Sequence, residues 1–142
     1  MNVNESISSQ LKRIARLYTR RLSVDLTNLK INGYYEVLLT LYDQKEFLTQ
    51  KKLSMLLHID KSRMVNIIYY LTQKGYTYVE QNKLDRREHF VFLSNKGEDI
   101  IPLIKSAVLK NNLLLRAGIT ENEFDSFMTV LSMVENNLLT AL

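Results

Sequence analysis

The chain of 142 residues has no cysteine, no tryptophan, one proline, four glycines and two histidines. Without thiols there is no disulfide, no thiolate nucleophile and no cysteine-based redox sensing. His58 and His89 do not stand in a metal-ligand spacing, so no metal is expected. No phosphate loop, histidine constellation or acid–base pair stands out either. No catalytic residue is assigned, no cofactor is expected, and an enzyme is a distant third among the function classes. No apolar run approaches the roughly 20 residues needed to span a bilayer. The N-terminus lacks the basic-then-apolar pattern of a secretory signal. The expectation is a soluble, cytoplasmic protein with no membrane partner.

What is present is apolar material and an uneven distribution of charge. Hydrophobic residues make up 46% of the chain, enough for a core, and no repeat or low-complexity segment interrupts them. Residues 1–48 carry seven Lys/Arg against five Asp/Glu, residues 49–97 nine against four, and residues 98–142 three against six. The net charge of +4 is therefore concentrated on the middle third.

That middle third is the most informative stretch. Thr49 can cap a short helix with Leu53, Leu56 and Leu57 as its buried face. After a tight turn, Asp60 can cap a second helix that runs to about Lys74, where Gly75 supplies the left-handed residue that ends helices. Met64, Ile67, Ile68 and Leu71 fall on one side of it, and Ser62, Asn66, Tyr69 and Gln73 on the other, with Arg63 and Val65 on the flanks. Residues 76–81 and 90–93 are aromatic and β-branched and read as strands. Between them lies the polar, basic loop Asn82-Lys83-Leu84-Asp85-Arg86-Arg87. Helix, turn, helix and a basic hairpin in that order make a winged helix-turn-helix.

The polar face of the second helix holds what base edges require: an amide, a guanidinium, a small hydroxyl and a Val able to touch a thymine methyl. A solvated face explains the same pattern for a helix taken alone. Context comes from a resemblance. Leu48-Thr49-Gln50, Asp60-Lys61-Ser62, the ending Leu71…Lys74-Gly75, and above all Asp85-Arg86-Arg87 followed by Leu93-Ser94-Asn95-Lys96-Gly97 resemble the MarR family of bacterial transcriptional regulators, with its D-x-R…L-[ST]-x-x-G signature.

The resemblance implies a homodimer that binds a roughly palindromic double-stranded DNA operator, most simply as a repressor released by a small aromatic or carboxylated effector. When bound to DNA it would be associated with the bacterial nucleoid. Ser62, Arg63, Val65 and Asn66 would enter the major groove, with Tyr69 and Lys61 nearer the backbone. Thr49 and Gln50 at the head of the first helix, and Lys83, Asp85, Arg86 and Arg87 on the wing, complete the candidate DNA-binding set. By resemblance Arg87 is the inserted arginine, and Asp85 either orients its guanidinium or pairs with it simply to close the hairpin. His58 stands where the family commonly has Gly, so a positive φ is expected there.

The flanks read as helices. Ile7, Leu11, Ile14, Leu17 and Tyr18 predict an amphipathic helix over residues 5–22, whose basic side is a solvated face or a phosphate contact. Residues 24–30 read as a connector, and Asn32 as the cap of a helix over 33–42. On that helix Tyr34 and Tyr35 have two readings: core packing, or, by resemblance, the side of a crevice for small aromatic effectors. Ser94 should cap a helix to about Arg116, with Ile100, Ile101, Ile104, Val108 and Leu109 buried. Thr120-Glu121-Asn122-Glu123 is a capping box opening a helix over 121–139, striped by Phe124, Phe127, Met128, Leu131, Val134 and Leu138.

The fold class is therefore mainly α with a small β-wing (α+β), in a single subunit over 1–142. The winged module occupies 32–97, and residues 1–31 and 98–142 supply N- and C-terminal dimerisation helices. The competing function is a helical interaction or scaffold protein that keeps the fold without operator recognition. The basic wing discriminates the two, because a protein freed from DNA has no use for Lys83, Arg86 and Arg87 at its tip.

Overall fold

The computed structural model describes residue 2 and residues 6–142. In chain order the elements are α1 (Ile7–Leu26), α2 (Tyr35–Asp43), β1 (Leu48–Thr49), α3 (Gln50–Leu57), α4 (Lys61–Gln73), β2 (Thr77–Gln81), β3 (His89–Leu93), α5 (Asn95–Leu115) and α6 (Glu121–Ala141), with a 3-10 turn at Thr27–Leu29. The strands form one antiparallel sheet in the order β1-β3-β2, with Val91 opposite both Leu48 and Val79. The architecture is mainly helical with a small sheet, a winged helix-turn-helix. None of the described helices is long and apolar enough to cross a membrane.

Most helix starts follow from local chemistry. The side chains of Ser6, Thr49, Asp60 and Ser94 accept backbone N–H groups at the heads of α1, α3, α4 and α5. Thr120 and Glu123 complete the expected capping box on α6. His58 has φ +53° and ends α3 in the left-handed conformation.

Other boundaries differ from the sequence expectation. The first helix continues to Leu26 because Leu22 and Leu26, one turn apart, both enter the core; the expected start at residue 5 lies outside the described residues. Asn32 is no cap: its φ is +51°, its Nδ2 donates to the Tyr34 hydroxyl at 3.2 Å, and α2 begins only at Tyr35. β1 was not expected. Two residues are too few to show a period, and only pairing with β3 makes them a strand.

The described residues divide into two compact units, the first up to Val108 and the second from Leu109 to Leu142. The first holds a single core, in which Leu22, Leu38, Leu53, Met64, Ile68, Leu71, Val91, Ile101 and Ile104 are almost completely enclosed. Leu56 is 40% exposed, contrary to the sequence reading, and on α3 Leu53 and Ser54 are the buried pair instead. Leu109, also expected to be buried, is exposed. In the second unit α6 buries no residue at all.

The join between α4 and α5 is the tightest part of the first unit. Gly75 (φ +82°) and Tyr76 close a Schellman turn, donating to the carbonyls of Thr72 and Leu71 at 3.0 Å each. Gly97 then lies so close that a Cβ there would sit 2.1 Å from the Tyr76 carbonyl oxygen. That contact explains the last glycine of the signature. Gly97→Ala should lower stability by on the order of 3 kcal/mol, whereas His58→Gly, which relieves a left-handed Cβ, should be neutral or stabilising by up to about 1 kcal/mol. Urea unfolding of the two variants checks both signs; an unchanged midpoint for Gly97→Ala would mean that α5 can back away freely.

Candidate nucleic-acid interface

α4 presents its two faces as its spacing demands. Met64, Ile67, Ile68 and Leu71 are buried, and Lys61, Ser62, Arg63, Val65, Asn66 and Tyr69 are all exposed along one side. Arg63 donates only its backbone N–H locally, to Asp60 Oδ1 at 2.9 Å. An amide, a hydroxyl, a guanidinium and a small apolar surface thus stand together on a helix fixed from behind.

The wing is a closed hydrogen-bonded loop. The Asn82 backbone N–H donates to the Glu88 carbonyl at 2.9 Å, and its side-chain amide donates to Glu88 Oε2 at 3.0 Å. Asn82 Oδ1 accepts from the Leu84 N–H, and Gln81 Nε2 donates to the Arg86 carbonyl at 2.8 Å. Asp85 holds Arg87 with three hydrogen bonds: Oδ1 accepts from the backbone N–H at 3.1 Å and from Nε at 3.2 Å, and Oδ2 accepts from Nη2 at 3.4 Å. The Arg87 side chain is nevertheless 90% exposed. The guanidinium first, and then the Arg87 backbone N–H, hold the Asp85 carboxyl below the ordinary carboxylate value. Lys83 and Arg86 are exposed on the same loop.

The base of the wing meets the heads of both helices of the motif. A cleft of about 320 Å³ is lined by Thr49, Gln50, Lys61, Asp85 and Arg87, together with Lys51, Glu88 and His89. Five of the sequence candidates converge there from three separate segments, because the pairing of Thr49 with Phe90 pins the start of α3 beside the wing. Lys51, Glu88 and His89 escaped the sequence reading. Lys51 could have been found as the residue after Gln50 at a helix start, whereas Glu88 and His89 carried no signal without the β1–β3 pairing.

Residues 33–89 match the MarR family model. The chain carries a MarR-family domain. Its fold extends the likeness to almost the whole chain: the crystal structure of MarR is 22% identical with a TM-score of 0.84, covering 99% of this chain and 96% of that one. A MarR transcriptional regulator from Methanosarcina mazei Go1 is 23% identical, with a TM-score of 0.87 and coverage of 96% and 98%. The transcriptional repressor CouR, bound to a 23-mer DNA duplex, is 19% identical, with a TM-score of 0.81 and 94% of each chain covered. The chain has the fold of MarR-family transcriptional regulators.

Within this MarR-family domain the two candidate effector tyrosines both pack. Tyr34 stands edge-on to Tyr70 at 5.6 Å between ring centroids, and Tyr35 lies 6.3 Å from Tyr18. Burial, then the neighbouring Tyr18 hydroxyl and Glu36, push the Tyr35 hydroxyl up to about 12, so it stays neutral. A cleft of about 480 Å³ opens next to them, lined by Thr19, Ser23, Lys30, Asn32, Gly33 and Tyr70 among others, but by neither Tyr34 nor Tyr35.

The depressed Asp85 value fixes a pH window. A carboxylate whose folded pKa is lowered keeps its partner above the ordinary value of 3.8 and loses it only as pH falls through the lower one. The Arg87 Nε–H resonance should therefore stay constant from neutral pH to about pH 5 and move only in stronger acid. Asp85→Asn should abolish that titration, and a midpoint above the ordinary carboxylate range would contradict the pairing.

Proposed function

We propose that the chain is a sequence-specific double-stranded DNA-binding transcriptional regulator, a repressor released by a small aromatic or carboxylated effector, acting as a homodimer on a palindromic operator. The observation that carries the reading is the convergence of the heads of α3 and α4 and the base of the wing on one cleft, within a stretch, residues 49–97, that has nine basic residues against four acidic ones. A relative of the same fold, CouR, is described on a DNA duplex. In this reading Ser62, Arg63, Val65 and Asn66 contact base edges, and Tyr69, Lys61, Thr49 and Gln50 approach the backbone. Arg87, oriented by Asp85, enters the minor groove, with Lys83 and Arg86 against phosphates.

The homodimer is supported by apolar surface that the single chain leaves bare. Ile7, Ile14 and Leu17 on α1, Leu103 and Leu113 on α5, and Phe127, Met128 and Leu138 on α6 are all exposed. Residues 1–31 and 98–142 then serve dimerisation, and 32–97 serve DNA. The effector acts near Tyr34 and Tyr35, where Tyr34 touches Tyr70 of α4.

Three measurements test this. Asn66→Ala should cost on the order of 1–3 kcal/mol on operator DNA and relax preference at particular base pairs. Arg87→Ala should weaken binding and shallow the log–log salt slope by about one unit. Equal losses on specific and random DNA would make Asn66 a positioning residue, and no binding to DNA upstream of its own gene by the parent would overturn the reading. Sedimentation should give a dimer at micromolar concentration, and a stable folded monomer would contradict the dimerisation role.

A further inference from the structure

A third cleft, of about 350 Å³, opens between the turn leading into β1, the β2–β3 face and the head of α5, and it shares no residue with the cleft below the wing. Four aromatic residues, Tyr42, Phe47, Tyr78 and Phe92, are part of its lining. Phe47 is 72% exposed yet held edge-on to Phe92 at 5.1 Å, and Tyr78 stacks on Phe92 at 5.2 Å with an interplanar angle of 27°. Tyr42, half exposed, also lines the cleft. A phenylalanine left this exposed and this well positioned presents a ring face to whatever enters.

The charges in the lining point to what that is. Glu46, Glu98 and Lys45 all line the cleft, an acidic excess beside the basic stretch 49–97. Among the described residues neither carboxylate takes part in an ion pair. The same wall already shows the arrangement a cation would adopt. The Lys105 ammonium sits 4.5 Å from the Tyr42 ring centroid while pairing with Asp43 at 3.3 Å, so one cation is shared between an aromatic ring and a carboxylate. Phe47, Phe92 and Tyr78 with Glu46 and Glu98 offer those two components again, and Lys45, the one cation of the lining, forms no ion pair with either carboxylate.

We propose that this cleft binds a small lipophilic organic cation, such as an aryl-substituted quaternary ammonium, between the aromatic rings of Phe47, Phe92 and Tyr78 and the carboxylates of Glu46 and Glu98. Aromatic quadrupoles attract a weakly hydrated cation, and the volume suits a ligand of one ring and one ammonium group. A carboxylated compound meets two carboxylates there and is excluded, which separates this site from the effector reading above. The inference does not rest on DNA binding.

The test is an NMR titration of the full chain, without DNA, with benzyltrimethylammonium, benzyl alcohol and phenylacetate, following the ring resonances of Phe47, Tyr78 and Phe92. The cation should shift those rings saturably and bind about tenfold more tightly than the neutral alcohol, with phenylacetate weakest. Phe47→Leu, at an exposed position, should lose most of the affinity. The double variant Glu46→Gln with Glu98→Gln should keep the fold and reduce the preference for charge to the part that the rings supply. Equal binding of alcohol and cation, shifts confined to other residues, or no saturable shift would each overturn the assignment.

Discussion

A helix leaves its last carbonyl groups without intrahelical partners, and at the end of α4 the next unpaired carbonyls are taken by the residues that begin α5. Lys96 Nζ donates to the Lys74 carbonyl at 2.7 Å, the Ser94 hydroxyl to that of Gly75, and the Ser94 backbone N–H to that of Tyr76 at 3.0 Å. Lys96 also lies 4.7 Å from the Tyr76 ring centroid. Three consecutive acceptors are thus satisfied by two residues, and the Ser94 hydroxyl accepts from Gly97 N–H as well, capping α5. The end of α4, the start of β2 and the end of β3 cannot move independently. The wing therefore projects from a base whose relation to α4 is fixed.

The other end of the arrangement is tied to α1. Tyr70 on α4 donates its hydroxyl to the Lys30 carbonyl at 2.8 Å, and Tyr76 donates to the Leu29 carbonyl. Both acceptors lie in the connector after α1, where Lys30 and Asn32 adopt positive φ. A non-glycine residue in that region is uncommon, so two in three positions mark a connector shaped by its partners and not by its own preferences. Tyr70 adjoins Tyr69 on the outward face of α4. A displacement of the connector would be transmitted to that face through one hydroxyl and the edge-on ring of Tyr34.

Sequence made legible whatever was set by local chemistry. The α4 stripe, its Asp60 cap and Gly75 stop, the Thr120/Glu123 box and the left-handed His58 depend on residues within a turn of each other. What escaped depended on distant partners. Asn32 looks like a cap until Tyr34 takes its amide, Leu56 looks buried until Ser54 takes its place against the core, and β1 exists only opposite β3. The same short strand decided the candidate site, because it brings Thr49 and Gln50 to Asp85 and Arg87. Signature residues named five of the eight residues that line this cleft, and the pairing that assembles them had no signal of its own.

The wing shows why an acidic residue belongs among the basic ones. In the proposed complex with DNA a carboxylate near phosphates is repelled by them, so there Asp85 needs a role that offsets this. Closing the hairpin is insufficient as that role, since Asn82, Gln81 and Glu88 already close it with four hydrogen bonds that do not involve the Asp85 side chain. What Asp85 alone does is accept from both the backbone and the guanidinium of one residue, Arg87. An exposed ion pair contributes roughly 0–1 kcal/mol to stability, too little to justify it as a brace. Its effect is to restrict a long side chain that is 90% exposed, removing rotamer freedom that Arg87 would otherwise lose on meeting a partner. The carboxylate also neutralises part of the charge it orients, so the net gain requires a partner whose shape rewards a pre-set guanidinium more than an extra unit of positive charge. A narrow groove with concentrated negative potential has that property, and a flat polyanionic surface does not.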